Sequence, residues 1–146
     1  MSFFLSKIRI KNSNSSYITY IFFAGANADI FPHGIELSSA QNFPRRCAEI
    51  CSKWSHSNTR ALDLGCAVGG ATFHLTKYYS NVLGIDFSGA FIEAALDIQV
   101  NRSKTLQILK EGKLLEKVVV ALPDDVDPLR AHFSQGDACN LPQEIG

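Results

Sequence analysis

Three acidic residues of this 146-residue chain stand beside glycines, each at or near the end of a short apolar segment. Asp63 comes just before Gly65, Asp86 ends the next apolar segment, and Asp137 directly follows Gly136. A carboxylate in such a position can accept hydrogen bonds from hydroxyl and amine groups or pair with a cation. The spacing therefore indicates one ligand site to which three separate segments contribute.

The elements between these residues predict how they come together. Strands are expected at 60–64, 82–86 and 131–135, and helices at 69–79 and after Ser88, a natural N-cap. Alternating strands and helices are typical of a parallel α/β sheet. Ligands of such sheets bind beyond the carboxyl ends of the strands, so we expect the three aspartates to line one crevice.

Two further elements surround this alternation. Residues 105–109 and 114–122 are strand-like runs around Glu111 and Gly112, which predicts a hairpin inserted before the third sheet strand. A helix of about three turns is expected ahead of the first strand, because four residues recur on one helical face: Phe43, Cys47, Ile50 and Trp54.

Composition narrows the classes of partner. The 14 lysines and arginines balance the 14 aspartates and glutamates, so no overall field favours nucleic acid or an acidic membrane. The cysteines contain no Cys-x-x-Cys pair and suggest free thiols in a reducing, cytoplasmic compartment. The histidines are too scattered for a metal site, and His74 is expected to have a packing or surface role.

The first forty residues differ in character from the rest. A basic start and an Asn/Ser run precede the apolar run Tyr17 to Ala28, which is shorter than the roughly 20 residues that span a bilayer. Residues Ala26 to Ala28 resemble a signal-peptide cleavage site, but a polar segment separates the apolar run from the basic residues. We therefore interpret residues 1–40 as a leader or a misassigned segment and expect no membrane partner.

The glycine loop itself discriminates between ligands. Residues 65–70 fit a relaxed dinucleotide pattern only if Ala67 replaces the middle glycine, where its Cβ would obstruct a pyrophosphate. Asp63 would also repel that pyrophosphate. An adenosine cofactor with an ammonium and a sulfonium, such as S-adenosylmethionine, turns the same charge into attraction. A nicotinamide-dependent dehydrogenase is therefore the weaker hypothesis.

The motif Asp63-x-Gly65-x-Ala67-x-Gly69, together with Asp86 and Gly136-Asp137-Ala138, resembles the successive cofactor motifs of class I S-adenosylmethionine-dependent methyltransferases. The likeness is more specific to the C-terminal methyltransferase module of ovothiol biosynthesis proteins. The Cys66-Ala67-Val68 form of the loop and the run Gln135 to Leu141 carry it. It extends over residues 41–146.

This resemblance implies a Rossmann-like class I methyltransferase fold, of which residues 41–146 would form the N-terminal half, with strands one to three, their flanking helices and an inserted hairpin. Later strands, which supply most of the acceptor pocket, would lie beyond Gly146. The implied cofactor is S-adenosylmethionine. The residues implied to bind it are Asp63, Gly65, Cys66, Ala67, Gly69, Asp86, Phe87, Asp137 and Ala138.

The implied reaction is methylation of a ring nitrogen of mercaptohistidine, a small molecule, and the implied partner is a sulfoxide synthase domain. Methyl transfer from a sulfonium depends on positioning and needs no nucleophilic side chain, so no catalytic residue is assigned. Two alternatives stay open: a methyltransferase for another small molecule or for protein, and a non-catalytic fragment that retains only the cofactor cradle.

Overall fold

The computed structural model describes residues 42–111 and 114–141. The predicted leader and Gly112 of the predicted hairpin lie outside these ranges. The elements in chain order are α1 (Phe43–Trp54), β1 (Arg60–Leu64), α2 (Gly70–Leu75), β2 (Asn81–Asp86), α3 (Gly89–Asn101), β3 (Ser103–Glu111), β4 (Leu114–Ala121), a 3-10 helix (Pro128–Arg130) and β5 (Ala131–Gln135).

The predicted α/β class is confirmed by the pairing of the strands. β1, β2 and β5 form a parallel sheet in that order, with Asp63 beside Gly84 and Asp86 beside Gln135. This is the strand order of one half of a Rossmann-like, doubly wound sheet. Because all three strands run the same way, their carboxyl ends meet at one edge.

All three α-helices pack on the same face of this sheet. Ala61, Val82 and Ala131 lie side by side in the register. The first two belong to a buried cluster with Ala48 of α1, and Ala131 to a second cluster with Ile98 of α3. α2 contributes to both clusters. Within the described ranges no helix is long and apolar enough to cross a membrane.

Helix α1 forms as predicted, but its apolar stripe is not the side that packs. Pro44 and Ala48 are the buried residues of this helix. Phe43, Ile50 and Trp54 are exposed, although the spacing that identified the helix depends on them. α1 therefore presents a row of large apolar side chains away from the core.

Helix α2 is shorter than the predicted range 69–79. It ends at Leu75, where the hydrogen bonds tighten to the i to i−3 pattern, as from Lys77 N–H to the His74 carbonyl. The Thr76 hydroxyl also donates to the Phe73 carbonyl, at 2.7 Å. This side-chain bond competes with continued α-helix and ends it.

The inserted hairpin is confirmed, and both strands differ slightly from the predicted ranges. β3 begins at Ser103 rather than residue 105, because Ser103 pairs with Ala121 across the antiparallel ladder. The Lys104 ammonium lies 2.5 Å from the Asp97 carboxylate of α3, which ties the base of the hairpin to that helix. Leu106 is buried there. The hairpin forms a separate two-stranded sheet.

His74 on α2 has the packing role expected from the sequence. Its Nδ1 atom is buried and finds no hydrogen-bond partner among the described residues. Burial, together with the smaller effect of the positive charges of Lys77 and Arg45, lowers the pKa of His74 to about 4. The imidazole is therefore neutral in the folded protein at pH 7.

We expect this histidine to make stability depend on pH. Its ordinary pKa is 6.5. Between pH 6.5 and 4, His74 is therefore protonated in the unfolded chain and neutral in the folded chain. The stability that a neutral His74 contributes is complete above pH 6.5 and is lost as the pH falls toward 4. With a discount for partial exposure, the loss is on the order of 1–2 kcal/mol.

Urea unfolding at pH 7 and pH 5 measures this difference. The variant His74→Leu should flatten the dependence, whereas His132→Leu, at an exposed position on β5, should keep it. An unchanged pH dependence in His74→Leu would contradict the assignment.

Candidate functional site

The three aspartates lie at the same edge of the sheet, as the sequence predicts. Asp63 is the penultimate residue of β1, Asp86 ends β2, and Asp137 follows β5. The loop after β1 is hydrogen-bonded to the end of β2 there: Gly65 N–H donates to the Ile85 carbonyl at 2.8 Å. No group of three or more acidic, cysteine or histidine side chains in the described ranges is arranged to hold a metal ion. The aspartates therefore act as separate acceptors.

The Asp63 carboxylate is hydrogen-bonded to the first turn of helix α2. Its Oδ2 accepts the Thr72 hydroxyl proton at 2.7 Å. Burial raises the pKa of Asp63, hydrogen bonds from the Thr72 hydroxyl and backbone N–H lower it, and the nearby Asp86 raises it again. The pKa of Asp63 is raised overall, because burial is the largest influence. The Asp63 carboxyl group lies at the helix end where free N–H groups would stabilise an anionic ligand.

Thr72 and Gly84 support Asp63, and sequence reasoning missed both. Thr72 is fully buried. A Cβ on Gly84 would lie 2.8 Å from the Thr72 hydroxyl. Glycine at this position of β2 therefore makes room for the hydroxyl. The available signal was a threonine on the first turn of a helix that follows a strand-end carboxylate.

The glycine loop has few free donors. Gly65 and Cys66 both donate their N–H groups to the Ile85 carbonyl, Ala67 donates to Asp86 Oδ2 at 2.8 Å, and Gly69 donates to the Cys66 carbonyl at 2.9 Å. Loops that bind phosphates instead point such N–H groups at the ligand. Four of the six N–H groups of residues 65–70 are therefore committed to protein acceptors.

Two residues of the loop adopt left-handed backbone conformations that matter for the site. Ala67 has φ 48° although it carries a Cβ, which is an unfavourable conformation for a non-glycine residue. Gly65 has φ +75°, and a Cβ built on it would meet nothing within 4 Å. The space beside Gly65 is therefore open to a ligand.

Asp86 holds the loop and the next helix in place. Its Oδ2 accepts from Ala67 N–H, and its Oδ1 accepts from Ser88 N–H at 2.9 Å. Ser88 is the N-cap of α3, as predicted, and its hydroxyl accepts from Phe91 N–H. A carboxylate has about four acceptor positions. Asp86 therefore keeps capacity for hydroxyl groups of a ligand.

Phe87 presents an aromatic surface next to Asp86. Its side chain is 77% exposed. The Gln135 side chain donates to the Phe87 carbonyl at 3.0 Å, which links the loop after β2 to the end of β5. An exposed ring at this position can stack on a flat ligand group. Gln135 is a further positioning residue, whereas in the sequence it was named only as the first residue of the run Gln135 to Leu141.

Asp137 and Ala138 form an exposed turn after β5. Asp137 Oδ1 accepts from Cys139 N–H at 2.8 Å, and the Asp137 carbonyl accepts from Asn140 N–H at 3.0 Å. The carboxylate therefore shapes the turn, as Gly-Asp sequences often do. One of its oxygens has no partner among the described residues. A role in ligand binding remains a prediction for Asp137 and for Ala138.

The Cys66 thiol is not a nucleophile. The side chain is buried, and burial raises the pKa of the thiol to about 12, with Asp63 and Asp86 adding to the effect. Thiolate, not thiol, is the reactive form. Because its N–H and carbonyl are both used inside the loop, Cys66 supports the loop conformation.

A scan against protein-family models and a search of curated proteins returned no match. Among solved structures, the chain is similar to the glycopeptide N-methyltransferase MtfA complexed with S-adenosyl-L-methionine, at 17% identity and a TM-score of 0.46 over 69% of this chain and 35% of that chain.

Two further solved structures are similar. One is a TehB-like S-adenosylmethionine-dependent methyltransferase from Corynebacterium glutamicum, at 20% identity and a TM-score of 0.38 over 62% of this chain and 33% of that one. The other is phosphoethanolamine N-methyltransferase 1 from Haemonchus contortus in complex with phosphoethanolamine and S-adenosylhomocysteine, at 20% identity and a TM-score of 0.43 over 72% and 17%. The chain spans about a third or less of the length of these structures.

The strain at Ala67 gives a direct test of the loop. Ala67→Gly should raise stability by roughly 0.5–1 kcal/mol, because glycine adopts a positive φ without steric cost. The matched variant Ala71→Gly, inside α2, should lower stability by roughly 0.5–1 kcal/mol. Thermal unfolding measures both. Destabilisation by Ala67→Gly would contradict the described loop conformation.

Proposed function

We propose that this chain binds S-adenosylmethionine and belongs to a methyltransferase. The observation that carries the proposal is the Asp63 carboxylate at the start of α2, held by Thr72 at 2.7 Å. It fills the position that a pyrophosphate would need, and it favours a cationic group in the open space beside Gly65. A dinucleotide is disfavoured by the same charge and by the committed N–H groups of the loop.

The residues at the crevice fit the parts of this cofactor. Asp63 would hold the ammonium of the methionine part, since opposite charges at short range attract. Asp86 has acceptor capacity left for the ribose hydroxyls. The exposed ring of Phe87 and the turn at Asp137 and Ala138 would contact the adenine. Gly65 allows the cofactor to approach the backbone, because nothing lies within 4 Å of its missing Cβ.

The bound cofactor would supply an electrophilic methyl group on a sulfonium. The protein's part is to hold and orient the reactants and to exclude water from the crevice. A nucleophilic side chain is unnecessary, which agrees with the protonated state of Cys66. The four free cysteines, Cys47, Cys51, Cys66 and Cys139, fit a reducing, cytoplasmic setting.

Calorimetric titration with S-adenosylhomocysteine tests the cofactor. The folded chain should bind it, and Asp63→Asn should weaken binding by roughly 10–100-fold, because a hydrogen bond to a charged group contributes roughly 1.5–3 kcal/mol. Asparagine still offers an oxygen to Thr72, so the fold is retained.

The matched control is Asp124→Asn, an exposed aspartate outside the crevice, which should leave the affinity unchanged. ADP-ribose serves as the pyrophosphate probe and should not bind. Tight binding of ADP-ribose, or equal affinity of the Asp63→Asn variant and the parent, would contradict the proposal that Asp63 favours a cationic group of the ligand.

We further propose a ring nitrogen of mercaptohistidine as the methyl acceptor. Support comes from the resemblance of the Cys66-Ala67-Val68 loop and of the run Gln135 to Leu141 to the ovothiol module. It also comes from the hairpin between α3 and β5, because residues of that segment belong to the same sequence resemblance. A sulfoxide synthase domain, which supplies a precursor of this acceptor, is the partner that this reaction implies.

Incubation with S-adenosylmethionine and mercaptohistidine, followed by mass spectrometry, tests the acceptor. We expect a singly methylated product, with little from histidine, which lacks the sulfur. Asp63→Asn should lower the yield as it lowers cofactor affinity. Methylation of other small molecules or of protein instead would favour the alternative acceptor, and S-adenosylhomocysteine binding without any transfer would favour a chain that retains only the cradle.

A further inference from the structure

The Gln135 side chain joins two segments that border the candidate crevice. Gln135 ends β5 and is the register partner of Asp86, which ends β2. Its Nε2 donates to the Phe87 carbonyl at 3.0 Å. Asp137 follows Gln135 by two residues. The amide therefore spans from the end of β5 to the loop after β2, between the segments that carry Asp137 and Phe87.

Gly89, the first residue of α3, makes room for this amide. A Cβ built on Gly89 would lie 3.1 Å from Gln135 Oε1, 3.4 Å from Cδ and 3.5 Å from Nε2. The amide as a whole therefore rests on the start of the helix. The shortest of these distances is below the roughly 3.5–4.0 Å of an optimal contact. A branched side chain at Gly89 would push the amide away from the Phe87 carbonyl.

The main chain around Phe87 is held at three consecutive residues. The Asp86 carbonyl accepts from Gly136 N–H at 3.0 Å, the Phe87 carbonyl accepts from Gln135, and Ser88 N–H donates to Asp86 Oδ1 at 2.9 Å. The Phe87 side chain is 77% exposed among the described residues, so packing there does little to fix it. The direction of the ring therefore depends on these main-chain bonds, of which the one from Gln135 comes from a side chain of β5.

We propose that Gln135, resting on Gly89, positions the Phe87 ring for the adenine of S-adenosylmethionine. The inference rests on the proposed cofactor and concerns its adenosine end, whereas Asp63 concerns its ammonium end. The bond keeps the ring in register with the turn at Asp137, so that a flat base can stack on the ring while its edge meets the turn. A loop that is ordered before the ligand arrives lowers the entropic cost of binding. Gln135 is a positioning residue for the base.

Calorimetric titration with S-adenosylhomocysteine and with adenosine tests the inference. Gln135→Ala should weaken both ligands by roughly 3–10-fold, the range that one neutral hydrogen bond contributes. Gln135 is exposed, so this variant keeps the fold. Asp63→Asn should instead weaken S-adenosylhomocysteine more than adenosine, because adenosine has no ammonium. The matched control is Gln107→Ala, at an exposed glutamine of β3, which should leave both affinities unchanged.

Gly89→Val separates positioning from general stability. The backbone of Gly89 is not in the left-handed region, and valine has a higher helix propensity than glycine. The midpoint of thermal unfolding should therefore be unchanged or higher, while the affinity for S-adenosylhomocysteine falls as it does in Gln135→Ala. The double variant Gly89→Val/Gln135→Ala should lose no more affinity than Gln135→Ala alone, because both changes remove the same bond.

The outcomes distinguish this inference from the proposed cofactor. If the parent chain binds S-adenosylhomocysteine and Gln135→Ala binds it equally well, the role of Gln135 is wrong and the cofactor stands. Additive losses in the double variant would also overturn the inference, because valine would then act on the ligand without Gln135. A folded parent chain that binds neither ligand would remove the proposed cofactor and this inference together.

Discussion

The hydrogen bond from the Thr72 hydroxyl to the Asp63 carboxylate, 2.7 Å long, joins the end of β1 to the start of α2. It holds the carboxyl group at the point of the parallel sheet where many nucleotide-binding proteins receive a phosphate. The contact needs Gly84 beneath Thr72, since any Cβ there would lie 2.8 Å from the hydroxyl. The position of this carboxyl group thus depends on the close approach of one helix to one strand.

A second carboxylate connects this end of β1 to the rest of the crevice. Asp86 accepts from Ala67 N–H and from Ser88 N–H, so it holds the glycine loop and the cap of α3 together. The hydrogen bond offsets part of the cost of the positive φ at Ala67. The two aspartates therefore have different contacts: Asp63 is bonded to the first turn of α2, and Asp86 is bonded to the glycine loop and to the cap of α3.

In the described part of the chain, the helices lie on one face of the sheet. α1, α2 and α3 cover one face, and the opposite face carries Leu62 and Leu64 at the outer strand. Parallel sheets are normally covered on both faces, because their strands are apolar on both sides. Helix α1 also has two different sides. The small side chain of Ala48 packs against α2, while the large apolar side chains of the helix are exposed.

Much of the fold could be predicted because it depends on local patterns. The strands β1, β2 and β5, the cap at Ser88 and the hairpin follow from alternation, capping chemistry and turn residues. The end of α2 could not be predicted, since a hydroxyl bond within the last turn at Thr76 stops the helix where propensity alone would continue it. The packing side of α1 could not be predicted either, because periodicity identifies an apolar face without saying what covers it.

The sequence alone determined which residues can act as acceptors at the sheet edge: the aspartates follow strands, and parallel strands end together. Only the tertiary structure decided what each of them does. Asp63 reaches Thr72, Asp86 reaches Ala67, and Asp137 turns back to Cys139. A carboxylate can accept from any donor within reach, and the donor that is in reach depends on how the helices pack on the strands. Residue type defined the chemistry that is possible, and packing geometry selected among the possible partners.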